Sequence, residues 1–293
     1  MTSPLQRPRE PAPEQTDAAA AGPRLSAILI VRDEARRLPD CLASLHGLAD
    51  ELVVVDSGST DDTVAIAVAA GARVTSLPFT GFGQLKQAAL DRASGGWILS
   101  VDADERVTPQ LAADIRRVIG ADAAAPAGFW IRRELVYLGR RLRFGGAESD
   151  WVLRLARRDR ARFTLRAVHE HLEVDGTTAR LRGTLTHVKY DTLAEHVATI
   201  DRYTTLIADE RALRGARFSS WHLLRVPWEL FARLVLRLGF LDGRAGVIHA
   251  TMSAFYAFLK YAKLWRHERA LRARSVGAGG DDRRGGYDGE SAR

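Results

Sequence analysis

The chain has 293 residues, 46% of them hydrophobic, enough for one large or two modest domains around a buried core. A single cysteine, Cys41, excludes an intrachain disulfide and a zinc site of the paired-cysteine kind, and it suits a reducing compartment. The net charge of +7 suits an anionic partner: a nucleic acid, a membrane surface or a phosphorylated substrate.

Residues 1–23 are rich in Pro and Ala, with no apolar core, and read as a disordered tail without a secretory signal. Leu25–Val31 is an apolar run of strand length. Pro39–Leu45 reads as a helix with Pro39 in its first turn. Glu51–Asp56 is a second strand, and Thr60 or Asp61 is placed to cap a helix that ends at Ala70 before Gly71. Arg73–Ser76 gives a third strand, Gly83–Ala93 a helix, and Trp97–Val101 a fourth strand. Thr108-Pro109 opens a helix to Ile119. Strands alternating with helices at this spacing predict an α/β fold with a mainly parallel, doubly wound sheet. Beyond Gly128 the pattern changes. Phe129–Arg133, Val152–Ala156, His171–Val174 and Arg180–Val188 predict added strands in a mixed sheet, and the chain reads as helix from Thr192 onward. The expected organisation is a catalytic domain over 24–215, basic amphipathic helices over 216–270 and a second disordered tail over 271–293.

The charge is concentrated near the C-terminus. Residues 211–274 carry 13 Lys and Arg against 3 acids, interleaved with Trp, Phe, Leu and Tyr. Basic residues among apolar ones point to a membrane surface rather than nucleic acid, and no nucleic-acid-binding motif is present. The longest uncharged run there, Ala245–Leu259, has 15 residues, short of the roughly 20 that a membrane span needs. Over Val226–Phe240, by contrast, Glu229, Arg233 and Arg237 recur every four residues. The expected result is one interfacial helix lying in the membrane plane with its bases toward anionic lipid. Packing of the same helices on the catalytic domain is the alternative.

In parallel sheets, ligands bind outside the carboxyl ends of the strands. Two acidic clusters fall at such ends: Asp56 opens Asp-Ser-Gly-Ser-Thr-Asp-Asp-Thr63, and Asp102 opens Asp-Ala-Asp-Glu105. The turn after the first strand is Arg32-Asp33-Glu34-Ala35 rather than a glycine-rich dinucleotide turn, and no P-loop spacing occurs. Acids in place of glycines suit a base, a ribose and a metal-held diphosphate. Cleavage of a sugar–phosphate bond leaves a nucleoside diphosphate whose growing charge Mg²⁺ or Mn²⁺ neutralises, held by carboxylates and the phosphates themselves. The plainer reading is that these acids form turns and cap helices. Glu34, Asp56 and Asp61 at matching strand ends beside the Asp102-Ala-Asp104 pair argue against that.

Ile30-Val-Arg-Asp-Glu34, Val54-Val-Asp-Ser-Gly-Ser-Thr-Asp-Asp-Thr63 and Trp97-Ile-Leu-Ser-Val-Asp-Ala-Asp-Glu105 resemble the family-2 inverting nucleotide-sugar glycosyltransferases. The resemblance implies a single Rossmann-like nucleotide-sugar transferase domain and a UDP-sugar donor. It also implies that Glu34 and Asp56 contact the nucleotide, Asp102 lies at ribose and phosphate, and Asp104 holds the metal. Lys86, matching a family Lys or Arg, touches the nucleotide or is a solvated helix residue. Arg32-Asp33 departs from the aromatic-Asn pair of many members.

Inversion needs a base for the acceptor hydroxyl. Asp150 matches the family base in order, with Glu148 as rival. The sequence Gly145-Gly, Asp150 with Leu153-Arg-Leu155, Val168-His-Glu170, Leu185-Thr-His187 and Arg202-Tyr-Thr204 resembles the bacterial lipopolysaccharide core transferases that add a hexose to inner-core heptose. Gly239-Phe-Leu-Asp-Gly243 and Phe258–Trp265 extend that similarity, and Ala147 departs from a usual Trp. The resemblance places His169 and Glu170 on the acceptor side, Glu170 with a catalytic role, and His187 at the metal or diphosphate. His169-Glu-His171 also has the spacing of an independent zinc site, a weaker reading. The implied function is transfer of a hexose, glucose from a UDP donor, to a lipid-anchored core glycan. The implied place is the cytoplasmic face of the bacterial inner membrane. A polyprenyl-phosphate sugar synthase and an inactive membrane-surface binding protein on the same fold are the alternatives.

Overall fold

The computed structural model describes residues 24–120, 126–147, 150–164 and 170–278. Its first half follows the expected order: β1 (Leu25–Val31), α1 (Leu38–Leu45), β2 (Glu51–Asp56), α2 (Thr63–Ala69), β3 (Arg73–Ser76), α3 (Phe82–Arg92) and β4 (Trp97–Ser100). These strands pair in parallel in the order β3-β2-β1-β4. Val53, Val54 and Val55 are wholly buried, as unbroken apolar strands covered on both faces must be. The N-cap of α2 is Asp62, which makes no side-chain cap bond, and Asp61 just before it accepts from the Thr63 backbone N–H at 3.0 Å. Thr60 is committed elsewhere, donating to Asp33.

The second half adds β5 (Glu105–Val107), α4 (Pro109–Ile119), β6 (Gly128–Tyr137), β7 (Arg140–Arg141), β8 (Trp151–Arg157), β9 (Ala161–Phe163), β10 (Leu172–Val174) and β11 (Thr178–Tyr190). α4 begins as expected, with Thr108 Oγ1 accepting from the Leu111 N–H. From β4 the main sheet continues β8-β6-β11-β5, with β7 on the end of β6. β8 and β5 are antiparallel to their neighbours, while β6 and β11 run with the first four strands. The fold is thus the α/β sheet expected, mainly parallel with mixed strands added.

Only residues 101–104 separate β4 from β5, yet β8, β6 and β11 lie between them in the sheet. A four-residue link cannot span three strands of a flat sheet, since neighbouring strands sit about 4.8 Å apart. The sheet therefore curls, and the Asp102–Asp104 segment lies inside the curl, where β8, β6 and β11 aim side chains at it.

The C-terminal region departs from the expected interfacial helix. After α5 (Leu193–Leu213) come a 3₁₀ turn (Ser220–Leu224), α6 (Arg225–Phe231), a π turn (Ala232–Leu236), another 3₁₀ turn (Gly239–Asp242) and α7 (Gly243–Ala278). The single helix expected over 226–240 is broken, with Leu238 at φ +55°. Gly239 explains the break: a Cβ there would meet the Arg233 carbonyl oxygen at 2.6 Å, so only glycine permits the fold-back. The polar stripe also turns inward. Glu229 and Arg233 line a cavity against the sheet, while Trp228, Phe231, Val235 and Leu236 are exposed. α7 runs past residue 271, so the helical region is longer than expected.

Candidate active site

The curl gathers a network of buried charge. Asp102 Oδ1 lies 3.2 Å from Lys86 Nζ, and its Oδ2 accepts from Arg154. Arg154 also donates to Glu105 Oε1 at 2.8 Å, and Arg133 reaches the same oxygen at 3.2 Å. Glu105 Oε2 accepts from the Asp102 backbone N–H at 3.0 Å, and Glu105 is wholly buried. Burial alone would lift the Asp102 carboxyl, but Arg154 and Lys86 outweigh it and hold Asp102 far below the carboxylate range. The same pairing outweighs burial at Arg154 and raises its guanidinium. Asp102 is therefore a permanent anion.

Lys86 is buried, which removes its reading as a solvated helix residue. It stands on the inner face of α3 and also lies 3.3 Å from Glu170. Asp104 Oδ2 is 3.1 Å from His187 Nε2 on β11, whose backbone pairs with Glu105. Asp104, His187, Lys86, Asp102, Glu170 and Glu34 all line one cleft of about 780 Å³. Burial lifts the Glu34 carboxyl to about 7, with Asp104 and Glu195 adding to the shift and Arg37 opposing it.

Asp56 stands apart from this group. It is buried, with its oxygens taken by the Gly58 and Ser59 backbone N–H groups and by the Ser59 hydroxyl. Gly58, at φ +98°, makes the turn that brings those donors round. The groove beside it, of about 560 Å³, is lined by Asp33, Glu34, Ser57, Phe79 and Phe82 among others. Asp33, the departure from the family pair, adopts φ +53°, which Asn and Asp tolerate. Its Oδ1 accepts from the Thr60 N–H at 2.7 Å, tying the first strand's loop to the second's.

Asp150 is held by a two-point contact from Arg133, at 2.9 and 3.1 Å. It lines a second chamber, of about 530 Å³, that opens beside the first. The rival base Glu148, and His169, lie outside the described residues. His171 is largely exposed, 3.6 Å from Glu173. Among the described residues no three metal-binding side chains converge, and the His169–His171 pair lies only partly among them.

Three participants have no role in the sequence reading: Arg133, and Arg154 and Glu105, which stand there only inside motifs. An arginine in the middle of the apolar strand Val152-Leu-Arg-Leu-Ala156 was the available signal, because a buried guanidinium must find carboxylates. The Gly239–Gly243 segment also has a role that the motif alone does not convey. Asp242 accepts from the Arg143 and Phe144 backbone N–H groups at 2.9–3.1 Å, and Gly145 is tied to Arg233 and Arg237. The C-terminal segment therefore grips the loop that leads to Asp150.

The model of the family described as Glycosyl transferase family 2 matches residues 26–182, more than half of the chain. The lipopolysaccharide core biosynthesis glycosyltransferase LpsC of Rhizobium meliloti is 33% identical over 258 residues, covering 85% of this chain and 94% of LpsC. An uncharacterized glycosyltransferase of Rickettsia typhi is 27% identical over 264 residues, covering 86% and 90%. Among solved structures, Staphylococcus aureus TarS 1–349 in complex with UDP-GlcNAc aligns over 86% of this chain and 92% of its own, at 17% identity and a TM-score of 0.44. The family model and the likeness to LpsC show it: the chain belongs to glycosyl transferase family 2.

Proposed function

We propose that this glycosyltransferase moves a hexose, glucose from UDP-glucose, with inversion onto a heptose of lipopolysaccharide inner core or a similar lipid-anchored glycan. The observation that carries the reading is the convergence of Asp102, Asp104, Lys86 and His187 in one cleft at the strand ends. The likeness to LpsC along most of both chains supports the acceptor class.

A divalent cation, Mg²⁺ or Mn²⁺, fits the residues present. Asp104 and His187 offer one carboxylate and one imidazole, 3.1 Å apart, facing the cleft. Two protein donors suit an ion whose remaining positions go to phosphates and water. Bound there, it would neutralise the leaving diphosphate. The protein's own residues do the rest. Lys86 and Arg154 fix Asp102 as an anion that can accept from a ribose hydroxyl beside the diphosphate. Glu34 and Asp56 border the nucleotide groove. Asp150, oriented by Arg133, takes the proton of the attacking hydroxyl, with Glu170 as the second carboxylate on the acceptor side.

No helix among the described residues is long and apolar enough to cross a membrane. The exposed Trp221, Trp228, Phe231, Leu236, Phe240 and Leu241 support a peripheral position on the inner membrane's cytoplasmic face, apolar side inward. Residues 24–215 are the catalytic domain in this reading, and 216–270 close its acceptor side and dock.

The test is product formation from a panel of UDP-sugars with truncated lipopolysaccharide and with polyprenyl phosphate. Transfer of glucose to the lipopolysaccharide is expected. Transfer to polyprenyl phosphate alone would install the lipid-phosphate synthase instead. No turnover of any donor would favour a binding protein. Release of the protein from membranes by carbonate is the expected result for peripheral docking, and resistance would contradict it.

A further inference from the structure

The chamber beside the donor cleft lies between the sheet and the C-terminal helices. Arg133, His187, Lys189 and Tyr256 line both spaces, so the two are continuous. Five Lys and Arg residues line the chamber, against two carboxylates, Asp150 and Glu229. Both carboxylates are already paired: Asp150 with Arg133, and Glu229 with Arg233 at 2.6 Å. The other three cations, Lys189, Arg225 and Lys260, have no ion pair among the described residues. Two of them stand near rings instead, Lys260 Nζ 4.8 Å from the Tyr261 centroid and Lys189 Nζ 5.6 Å from that of Tyr190.

Asp104 and Asp150 act on Lys189 and Glu229 on Lys260 only from beyond ion-pair distance, so like charges gathered on one wall still repel. Burial, reinforced by Arg211 and Arg225, pushes the Lys260 amine down in spite of Tyr261. A fold that only needed to cover the acceptor side would pair these residues or replace them with apolar ones. All three line the chamber, at its open side for the exposed Lys189 and Arg225, while Trp228 and Phe231 of α6 are exposed apolar side chains outside it.

We propose that this chamber is an anion-binding subsite for the acceptor, in which Lys189, Arg225 and Lys260 hold a phosphate or carboxylate of the glycan and so present a neighbouring hydroxyl to Asp150. The inference rests on the transfer reaction proposed above. It adds that the acceptor is recognised by charge, through residues that only the C-terminal helices and the end of β11 supply. Arg225 and Lys260 are positioning residues, so their loss weakens acceptor binding and leaves the donor side alone.

The experiment uses the full chain and three acceptors: native truncated lipopolysaccharide, the same material stripped of phosphate, and the same material with its carboxylates reduced. In the variant R225Q/K260Q, acceptor KM is expected to rise about tenfold or more, the loss of charge-assisted bonds. kcat and donor KM are expected to stay within about twofold. The charge-conserving R225K/K260R restores KM. One stripped acceptor shows the same rise with the unaltered protein and is insensitive to R225Q/K260Q, which tells phosphate from carboxylate. Unchanged KM in R225Q/K260Q, or equal use of all three acceptors, would overturn the subsite. Calorimetric binding of the released core oligosaccharide, without donor, separates this inference from the transfer reaction. Binding that R225Q/K260Q loses upholds the subsite even if no UDP-sugar is turned over, and binding that it keeps refutes it.

Discussion

In the donor cleft the buried charges are paired within the protein. Asp102 lies between Lys86 and Arg154, and Glu105 between Arg154 and Arg133. In the chamber next to it Lys189, Arg225 and Lys260 line one space without an ion pair among the described residues. The first arrangement fixes charge states in advance, and Asp104, His187 and Glu34 are the groups of the cleft least committed to that network. The second leaves its charge for something that arrives. Two adjoining cavities in one curled sheet thus differ in how much of the binding chemistry is completed beforehand.

Four substitutions break or sharpen that comparison. Asp104→Ala removes the carboxylate that would hold the metal, and metal-dependent transfer should fall by at least about 10³-fold. Its thermal midpoint should stay close to that of the parent, because Asp104 is not in the buried network. Retained activity would exclude the metal role. Asp150→Asn should lower kcat by about 10²-fold or more while UDP-glucose binding stays near normal. Transfer at an unchanged rate would pass the role of base to Glu170 or Glu148.

Arg154→Met addresses the paired side directly. It strands Asp102 and Glu105 together without their shared cation, and the expected loss of stability is about 3–5 kcal/mol. Denaturant unfolding that shows less than about 1 kcal/mol would mean that the network is not a structural centre. Glu34→Gln is the smallest effect and has a defined sign. Glu34 titrates near 7 in the fold and at about 4.5 when unfolded. Ionising it inside the fold is therefore a penalty, absent below pH 4.5 and complete above pH 7. The substitution should stabilise the ligand-free protein at pH 8 by on the order of 1 kcal/mol, after allowing for solvent screening. The gain should fade toward pH 4.5, and equal gains at both pH values would refute the assignment.

The donor half was legible because its signals are local. β1, β2 and β3 fall on short β-rich runs that end at Val31, Asp56 and Ser76, and the bounds agree to the residue. Asp102 and Asp104 were found because a parallel strand end is itself a site. The three-residue strands β5 and β9 were not found, since each carries an arginine and is too short to alternate visibly. Arg133, Arg154 and Glu105 were missed for a different reason. Their meaning depends on the curl, which comes from long-range pairing of β4 with β8 and of β5 with β11. The Glu229–Arg233–Arg237 stripe was seen, but its direction was misjudged. Helical periodicity separates a polar from an apolar face without saying which one meets the protein. Here the polar face meets a charged chamber, so the apolar face is left outside.

The most direct test of transfer with inversion is the anomeric configuration of the product. UDP-glucose carries an α-linked sugar, so a single displacement assisted by one base must yield a β-linked glucose on the acceptor. Incubation with ¹³C-labelled UDP-glucose, Mg²⁺ and truncated lipopolysaccharide, followed by NMR of the product, should show one β-linked glucose on a heptose, its H1–H2 coupling large. An α-linked product would contradict the account at its centre.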